Sequence, residues 1–415
     1  MTTAWKDRET MRVLVLNCGS STLKFQLIDT SVGTADRESW HRLAYGVIEG
    51  IGGQSVMNFV ADNHTHQDTA TLANPGEASQ HLFDWLDRVG LPVSGGVDAV
   101  GHRVVHGGNR FVEPTRLDDN VIAALEALRD LAPLHNEPAL EVIRATRASL
   151  GPHLPMVAVF DTAFHHTMPA RAAQYALPRH LADKYHIRRY GFHGLAHRYM
   201  SERYATLTST PPGQLKLITL QLGSGCSAAA IQAGHSVDTS MGFTPLEGLI
   251  MGTRCGDIDP ALPGFLARQE GVDTAEIETW LNTRSGLLGV SEHSKDMRQL
   301  LEAEAHGDVQ AALAVDMFCY RIRKCIAAYL AVLNGAEAIV FGGGIGENAP
   351  AVRERICTNM GWCGLQLDAG RNATARDTIA RISADSANLH AYVIPVDEAA
   401  IIVQDTVTVL GETKG

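Results

Sequence analysis

RVLVLNCGSSTLKFQLI, residues 12–28, decides the fold. Val13, Leu14, Val15 and Leu16 form an apolar run that reads as a buried strand. The polar glycine turn Asn17–Lys24 follows, and Phe25–Ile28 reads as a second strand. Two short apolar runs around a Gly/Ser turn predict a hairpin. A dinucleotide fold opens instead as strand, glycine turn and helix. The layout recurs at LKLITLQLGSGCSAAAIQ, residues 215–232, where strand Leu215–Leu222 feeds Gly223–Gly225 and Ala228–Gln232 can pair back. The two stretches share little identity, but their common layout suggests duplicated domains.

Working outward, residues 41–62 read as extended with glycine interruptions, and His81–Val89 as an amphipathic helix. Val97–Val100 and Met156–Phe160 read as strands, the first entering the polar loop Gly101–Arg110 and the second ending at Asp161. Helices are predicted over Asp119–Leu131, over Asn136–Ser149, where Pro138 sits in the first turn, and over Val309–Leu333. Ala338–Phe341 is a predicted strand entering Gly342–Asn348, His390–Pro395 another, and Asp397–Val407 the last helix. Residues 1–10 read as a disordered extension, with Met11 an alternative start.

The 415 residues imply two or three domains, and 45% hydrophobic with 20% charged residues fits a globular chain. A formal charge of −11 argues against nonspecific nucleic-acid binding. It leaves room for a small anionic substrate, because a few arginines can dominate a cleft. The seven cysteines, Cys18, Cys226, Cys255, Cys319, Cys325, Cys357 and Cys363, are widely spaced with no CxxC pair. That supports neither a zinc knuckle nor a disulfide framework. Nothing resembles a signal peptide, and no apolar run is long enough for a membrane span. A reducing cytoplasm is the expected compartment.

Several clusters carry candidate chemistry, each with a structural alternative. NCGSSTLK at 17–24 offers hydroxyls, backbone N–H groups and Lys24, a concavity suited to phosphate, though it lacks a Walker ending and reads equally as a plain hairpin turn. GHRVVHGGNR at 101–110 holds Arg103, suited to clamping carboxylate or phosphate, or to a surface salt bridge. Asp161 at a strand end points to the mouth of an α/β sheet, as a metal ligand, a base or a helix cap. His135, His165, His166 and His193 show no zinc spacing, and His193 lies between glycines in YGFHG. GTRCGDIDP at 252–260 carries Arg254, Asp257 and Asp259, without the spacing of a calcium loop. GGGIGEN at 342–348 suits close approach to a nucleotide or a tight turn. Glu398 would complement the start of the last helix.

Taken in order, NCGSSTLK, GHRVVHGG, FDTAFH, YGFHG, MGFTPLEGLIMGTRCGDIDP, DMR at 296–298, GGGIGEN and VDEAAII resemble the acetate kinase family over residues 11 to 410. Each turn alone is weak, whereas the ordered series is specific. The resemblance implies an α/β fold of two ribonuclease-H-like domains, the duplicated mixed-sheet actin-like fold, around a central cleft. Domain I would hold 11–161 plus 396–415 and domain II, the nucleotide-binding one, 162–395. It further implies ATP:acetate phosphotransfer with Mg²⁺ (Mn²⁺ as the alternative), acetyl phosphate and ADP as products or reverse substrates, a homodimer, and no nucleic-acid or membrane partner.

The resemblance also assigns roles. Arg103 and Arg254 match the pair that binds carboxyl and transferring phosphoryl groups, His193 the transition-state stabiliser, His135 an ancillary contact, and Asp161 the carboxylate orienting acetate or metal. Asn17 and Glu398 match the magnesium-site residues, and Ser20, Thr22 and Lys24 the phosphate-side loop. Gln221, Leu222, Gly223, Ser224 and Gly225, then Asp296, Met297 and Arg298, then Gly344, Ile345, Gly346, Glu347 and Asn348 match three nucleotide segments. Val105, Leu134, Phe192 and Pro245 match the apolar acyl pocket, where valine at 105 favours acetate over propionate. One methylene is worth only about 1–3 kcal/mol in such a pocket. The chain departs from the family's HLGNG segment, reading Gln221-Leu-Gly-Ser224-Gly, and it has Ala399 where a second glutamate is common. A nonenzymatic actin-like nucleotide switch and a sugar kinase are the rival expectations. The first would not need Arg103, Asp161, His193 and Arg254 together, and the second would need a polar hydroxyl-binding pocket.

Overall fold

The computed structural model describes residues 10–31, 40–128 and 133–411, in two compact units. The first runs to Ala163 and takes in the chain from Asp397; the second is Phe164–Val396. The expected N-terminal extension lies outside the described residues except for Thr10, which already belongs to the first strand.

The first unit is built on β1 (Thr10–Cys18), β2 (Thr22–Ser31), β3 (His41–Glu49), β4 (Gly53–Ala61), β5 (His64–Leu72), β6 (Ala99–Val104), β7 (Thr115–Arg116) and β8 (Met156–Phe160). Their order is β5-β4-β3-β2-β1-β6-β8-β7. β1 pairs antiparallel with β2, Val13 opposite Ile28, and parallel with β6, Leu16 opposite His102. Val13–Leu16 are all buried because β1 is central and covered on both faces. One face carries Leu14, Leu16, Phe25, Leu27, Phe59 and Trp85, with the Phe25 and Phe59 rings edge to face at 5.3 Å. Helix Pro75–Arg88 packs there, its N-terminus capped by Asn74, which accepts from the Glu77 N–H at 2.9 Å. The C-terminal helix Glu398–Gly411 packs on β1, β6 and β8.

The second unit repeats this plan with β9 (Lys216–Leu222), β10 (Cys226–Gln232), β11 (His235–Thr239), β12 (Ala338–Gly342), β13 (Ala380–Arg381) and β14 (His390–Val393). Their order is β11-β10-β9-β12-β14-β13. β9 is antiparallel to β10 and parallel to β12, as β1 is to β2 and β6, and β12 is parallel to β14 as β6 is to β8. The duplication expected from the two hairpins is therefore a duplication of strand order and direction. Helix Val309–Leu333 begins at Asp308, whose carboxylate accepts from the Gln310 and Ala311 N–H groups, and ends at left-handed Asn334.

The structure revises several expected elements. The turn after β1 is Gly19–Ser21, not Asn17–Lys24, because the β1–β2 ladder continues to Cys18 opposite Leu23. Residues 41–62 contain two strands and the start of a hairpin to a third, β5. The helix expected over Asp119–Leu131 ends at Glu126. GGGIGEN is a short helix over Gly343–Asn348 rather than an open turn, entered through Gly343 at φ +74°.

Gly101 on β6 shows how tightly the C-terminal helix is seated. A methyl group there would lie 2.5 Å from Ile402 Cγ2 and 2.7 Å from Thr406 Oγ1. Gly101→Ala is expected to lower stability by about 1–3 kcal/mol, the usual range for overpacking, measured by urea denaturation with both units' transitions followed.

Candidate active site

In the first unit the parallel strands β1, β6 and β8 end side by side, and each delivers a polar residue there: Asn17 from β1, Arg103 from β6, and Asp161 just after β8. The start of the C-terminal helix adds Glu398. Arg103 grips Asp161 in two parallel bonds, Nε to Oδ1 at 2.9 Å and Nη2 to Oδ2 at 2.5 Å, and donates through Nη1 to Asn17 Oδ1 at 3.1 Å. Glu398 Oε2 lies 3.8 Å from Arg103 Nε and accepts from Asn17 Nδ2 at 3.2 Å. Asp161 is fully buried. A buried carboxylate needs a charged partner with good geometry, and the planar guanidinium supplies it.

The charges of this cluster do not balance. Burial opposes the Arg103 charge, but Asp161 and Glu398 more than offset that and hold its pKa above the ordinary value. Burial, then repulsion from Asp161, raises the Glu398 carboxyl, against the pull of Arg103, Lys24 and Asn17. Two carboxylates thus share one close guanidinium, with Lys24 opposite Asn17 on β2. Ser20 is exposed in the turn, and Thr22 starts β2. Val105 is buried just beyond β6. Leu134 and His135 lie on helix Pro133–Leu150, with side chains outside the described residues.

In the second unit His193 precedes helix Gly194–Thr208 in a left-handed conformation, φ 57° and ψ 27°. This is uncommon for a residue with a side chain. The preceding residue is fixed by His165, whose Nε2 lies 3.0 Å from the Phe192 carbonyl and whose Nδ1 lies 2.8 Å from Ser236 Oγ. His193 Nδ1 hydrogen-bonds Ser227 Oγ at 2.9 Å. Arg254 sits in a loop tied down by backbone bonds from Gly252 N to the Ser224 carbonyl and from Ser285 N to the Thr253 carbonyl, 3.0 and 2.9 Å. Its Nη1 donates to the Pro245 carbonyl at 3.2 Å. Arg254 has no carboxylate partner among the described residues, and burial pushes its guanidinium below the ordinary range.

Gly225 marks where these groups converge. A methyl group on it would stand 3.3 Å from His193 Cε1, 3.4 Å from Nε2 and 3.6 Å from Arg254 Nη1. The glycine turn therefore lets backbone, imidazole and guanidinium meet. Upstream, Gln221 Oε1 is buried with no hydrogen-bond partner among the described residues, an acceptor available to a donor on a ligand. Phe192 and Leu222 are in the core, so Leu222 can offer a ligand only its backbone.

The remaining nucleotide candidates are placed as follows. Asp296 caps helix Met297–Ala305, accepting from Arg298 N, and forms an ion pair with the exposed Arg298 side chain at 2.7 Å. That pair holds the Asp296 carboxyl near 2. Met297 is buried. Glu347 Oε1 accepts from Gly343 N at 2.7 Å and Val396 N at 3.0 Å, binding the short glycine helix to the end of the unit. Gly344 and Asn348 are exposed, Ile345 is half-buried and Gly346 buried.

Sequence reasoning passed over Ser227, His197 and Thr219, which lie behind His193. The available signal was the four-residue step from His193 to His197, adjacent positions on one helical face.

Two mixed sheets of this order are the ribonuclease-H-like units of the actin-like superfamily. Residues 12–404 match the model of the acetokinase family, and the chain belongs to that family. An acetate kinase of Solibacter usitatus is 47% identical over 410 residues, 97% of this chain and 99% of the relative. The crystal structure of Porphyromonas gingivalis acetate kinase superposes with a TM-score of 0.88 at 38% identity, covering 96% of this chain and 100% of that one. A propionate kinase from Francisella tularensis gives 0.87 at 37% identity, covering 95% and 98%.

Asp161→Asn is expected to destabilise the first unit by about 3 kcal/mol, the low end for breaking a buried pair because Glu398 remains near Arg103. Equilibrium denaturation of the variant checks this.

Proposed function

We propose that the chain reversibly transfers the γ-phosphoryl group of ATP to acetate, giving acetyl phosphate and ADP. The observation that carries this is Arg254, a largely buried guanidinium with no carboxylate partner among the described residues, beside His193 at a glycine turn. Such a group lowers the cost of bringing an anionic carboxylate to an anionic phosphate. Acetate needs no base, since it is ionised at neutral pH. One acetate oxygen forms a bond to the γ-phosphorus as the bond to the bridging oxygen breaks, and ADP leaves with the electron pair. Arg254 and the His193 imidazole would bind the equatorial phosphoryl oxygens, while Arg103, held by Asp161, would meet the acetate carboxylate. Backbone at Gly223–Gly225 and Gly344–Gly346 would approach the nucleotide, with Gln221 accepting from it.

The oxygen donors Asn17, Asp161 and Glu398 fit a hard divalent cation such as Mg²⁺. The raised Glu398 carboxyl supports this, because added positive charge would relieve its repulsion from Asp161. Bound there with ATP, the ion would neutralise phosphate charge. Acetate is favoured over propionate by valine at position 105, which is buried within the first unit. We also propose a homodimer, supported by the exposed row Val309, Leu313, Met317 and Tyr320 on one face of helix Val309–Leu333. No helix among the described residues is long and apolar enough to cross a membrane. The cysteines are all unbridged, which suits a cytoplasmic setting.

An acyl-substrate panel with ATP and Mg²⁺, scored as acyl phosphate, tests the assignment. Acetate should give the higher kcat/KM, and Arg254→Ala should lower kcat by about 10²–10³. A higher kcat/KM for propionate would make the chain a propionate kinase, and no acyl phosphate at all would refute the activity.

Glu398 gives a test independent of turnover. Its folded carboxyl titrates above its unfolded value, so the fold loses stability as pH rises between the two. Glu398→Gln should therefore raise the melting temperature of the metal-free protein at neutral pH. Added Mg²⁺ should stabilise the parent, by about 2.7 kcal/mol at a hundredfold excess over Kd, and the variant much less. Differential scanning calorimetry with and without EDTA reads both effects.

A further inference from the structure

A file of four polar side chains runs through the second unit. His193 Nδ1 lies 2.9 Å from Ser227 Oγ, Ser227 Oγ 2.7 Å from His197 Nε2, and His197 Nδ1 2.7 Å from Thr219 Oγ1. Thr219, Ser227 and His197 are each fully buried. Every hydrogen on them must find its acceptor within the file. His197 is neutral, because burial, then the neighbouring His165 and His193, press its pKa far below the ordinary value. It therefore offers one N–H and one lone pair.

Such a file can be polarised in two senses, and Thr219 selects between them. Its hydroxyl has one polar partner among the described residues, His197 Nδ1. If His197 carried its hydrogen on Nδ1, the Thr219 proton would be a stranded buried donor, an expensive arrangement. Thr219 therefore donates to Nδ1, and His197 donates from Nε2 to Ser227 Oγ. The Ser227 hydroxyl, having accepted, donates to His193 Nδ1. We propose that Thr219, His197 and Ser227 are positioning residues that hold His193 as the neutral tautomer with its hydrogen on Nε2, the ring nitrogen on the side of Gly225.

Two further observations agree. Nε2 lies 3.4 Å and Arg254 Nη1 3.6 Å from the position of a methyl group built on Gly225, so a donating Nε2–H and the guanidinium address the same space. Burial already opposes the charge of Arg254, and a neutral imidazole adds no second positive charge beside it. His193 then acts as a ready hydrogen-bond donor that needs no prior proton uptake. This inference rests on the proposed place of His193 at the reacting centre.

The test uses the full chain carrying ¹⁵N-imidazole histidine, with the His193 signals assigned by loss in His193→Gln. At neutral pH the expected spectrum has a protonated Nε2 and a bare Nδ1. Hydrogen on Nδ1 alone, or on both nitrogens, overturns the proposal. In parallel, Ser227→Ala is expected to lower kcat about 10- to 100-fold, the scale for removing a partner that orients a histidine, with little change in KM for acetate. Thr219→Val should mix the His193 tautomers and lower kcat, and Thr219→Ser should restore both. Parental kcat with parental nitrogen shifts in Ser227→Ala would also overturn it. His193→Ala with full acetyl phosphate formation would defeat the role given to His193, whereas the nitrogen shifts judge the tautomer without reference to turnover.

Discussion

The parallel pairing at the centre of each sheet constrains everything else. Antiparallel hairpins alone would alternate strand ends between two rims. Because β1 runs parallel to β6 and β8, and β9 to β12 and β14, their carboxyl ends share one rim. Polar residues that would be costly in mid-strand can then gather at the strand ends and just past them. Asn17, Arg103 and Asp161 do so in the first unit. In the second, the glycine turn after β9 and the short helix after β12 occupy the corresponding positions. The long connections between parallel strands supply the helices on one face of the first sheet, and Glu398–Gly411 covers the other.

The two units handle charge differently. The first holds more acid than close base: Arg103 is shared by Asp161 and Glu398. The second holds a guanidinium without an acid, steadied by the Pro245 carbonyl. Each cluster would be poor design for stability alone, since buried charge is costly unless paired. Each becomes reasonable if a ligand supplies the missing sign, a cation in one case and an anion in the other.

Much of the fold was legible because its central strands are short apolar runs bounded by glycine or acid. Met156–Phe160 and Val309–Leu333 were read to the residue, the first because all of its side chains are buried, the second because Asp308 and Asn334 mark its ends. The turn at Asn17–Lys24 was read too long because polar Asn17, Thr22 and Lys24 look like loop residues while their backbones still pair across the ladder. GGGIGEN looked like a turn because glycine lowers helix propensity, yet Glu347 reaches back to the Gly343 N–H and supports that first turn. The individual site residues were visible only as an ordered series of weak motifs. What no local pattern disclosed was partnership. Arg103 with Asp161, and His193 with Ser227, are joined across 58 and 34 residues of chain.

The origin of the last helix in Glu398–Gly411 orders the birth of the protein on the ribosome. That helix covers β1, β6 and β8, so the segment synthesised first lacks one of its walls until the residues after Asp397 have been made. The second unit, by contrast, is one uninterrupted stretch, Phe164–Val396, and has all its strands before that helix emerges. The first unit therefore cannot be completed before the second has been synthesised, whatever the general tendency for N-terminal domains to mature first. Until Glu398–Gly411 has been made, the first sheet has no helix on that face, and the same segment that covers it also brings Glu398 to Asn17 and Arg103.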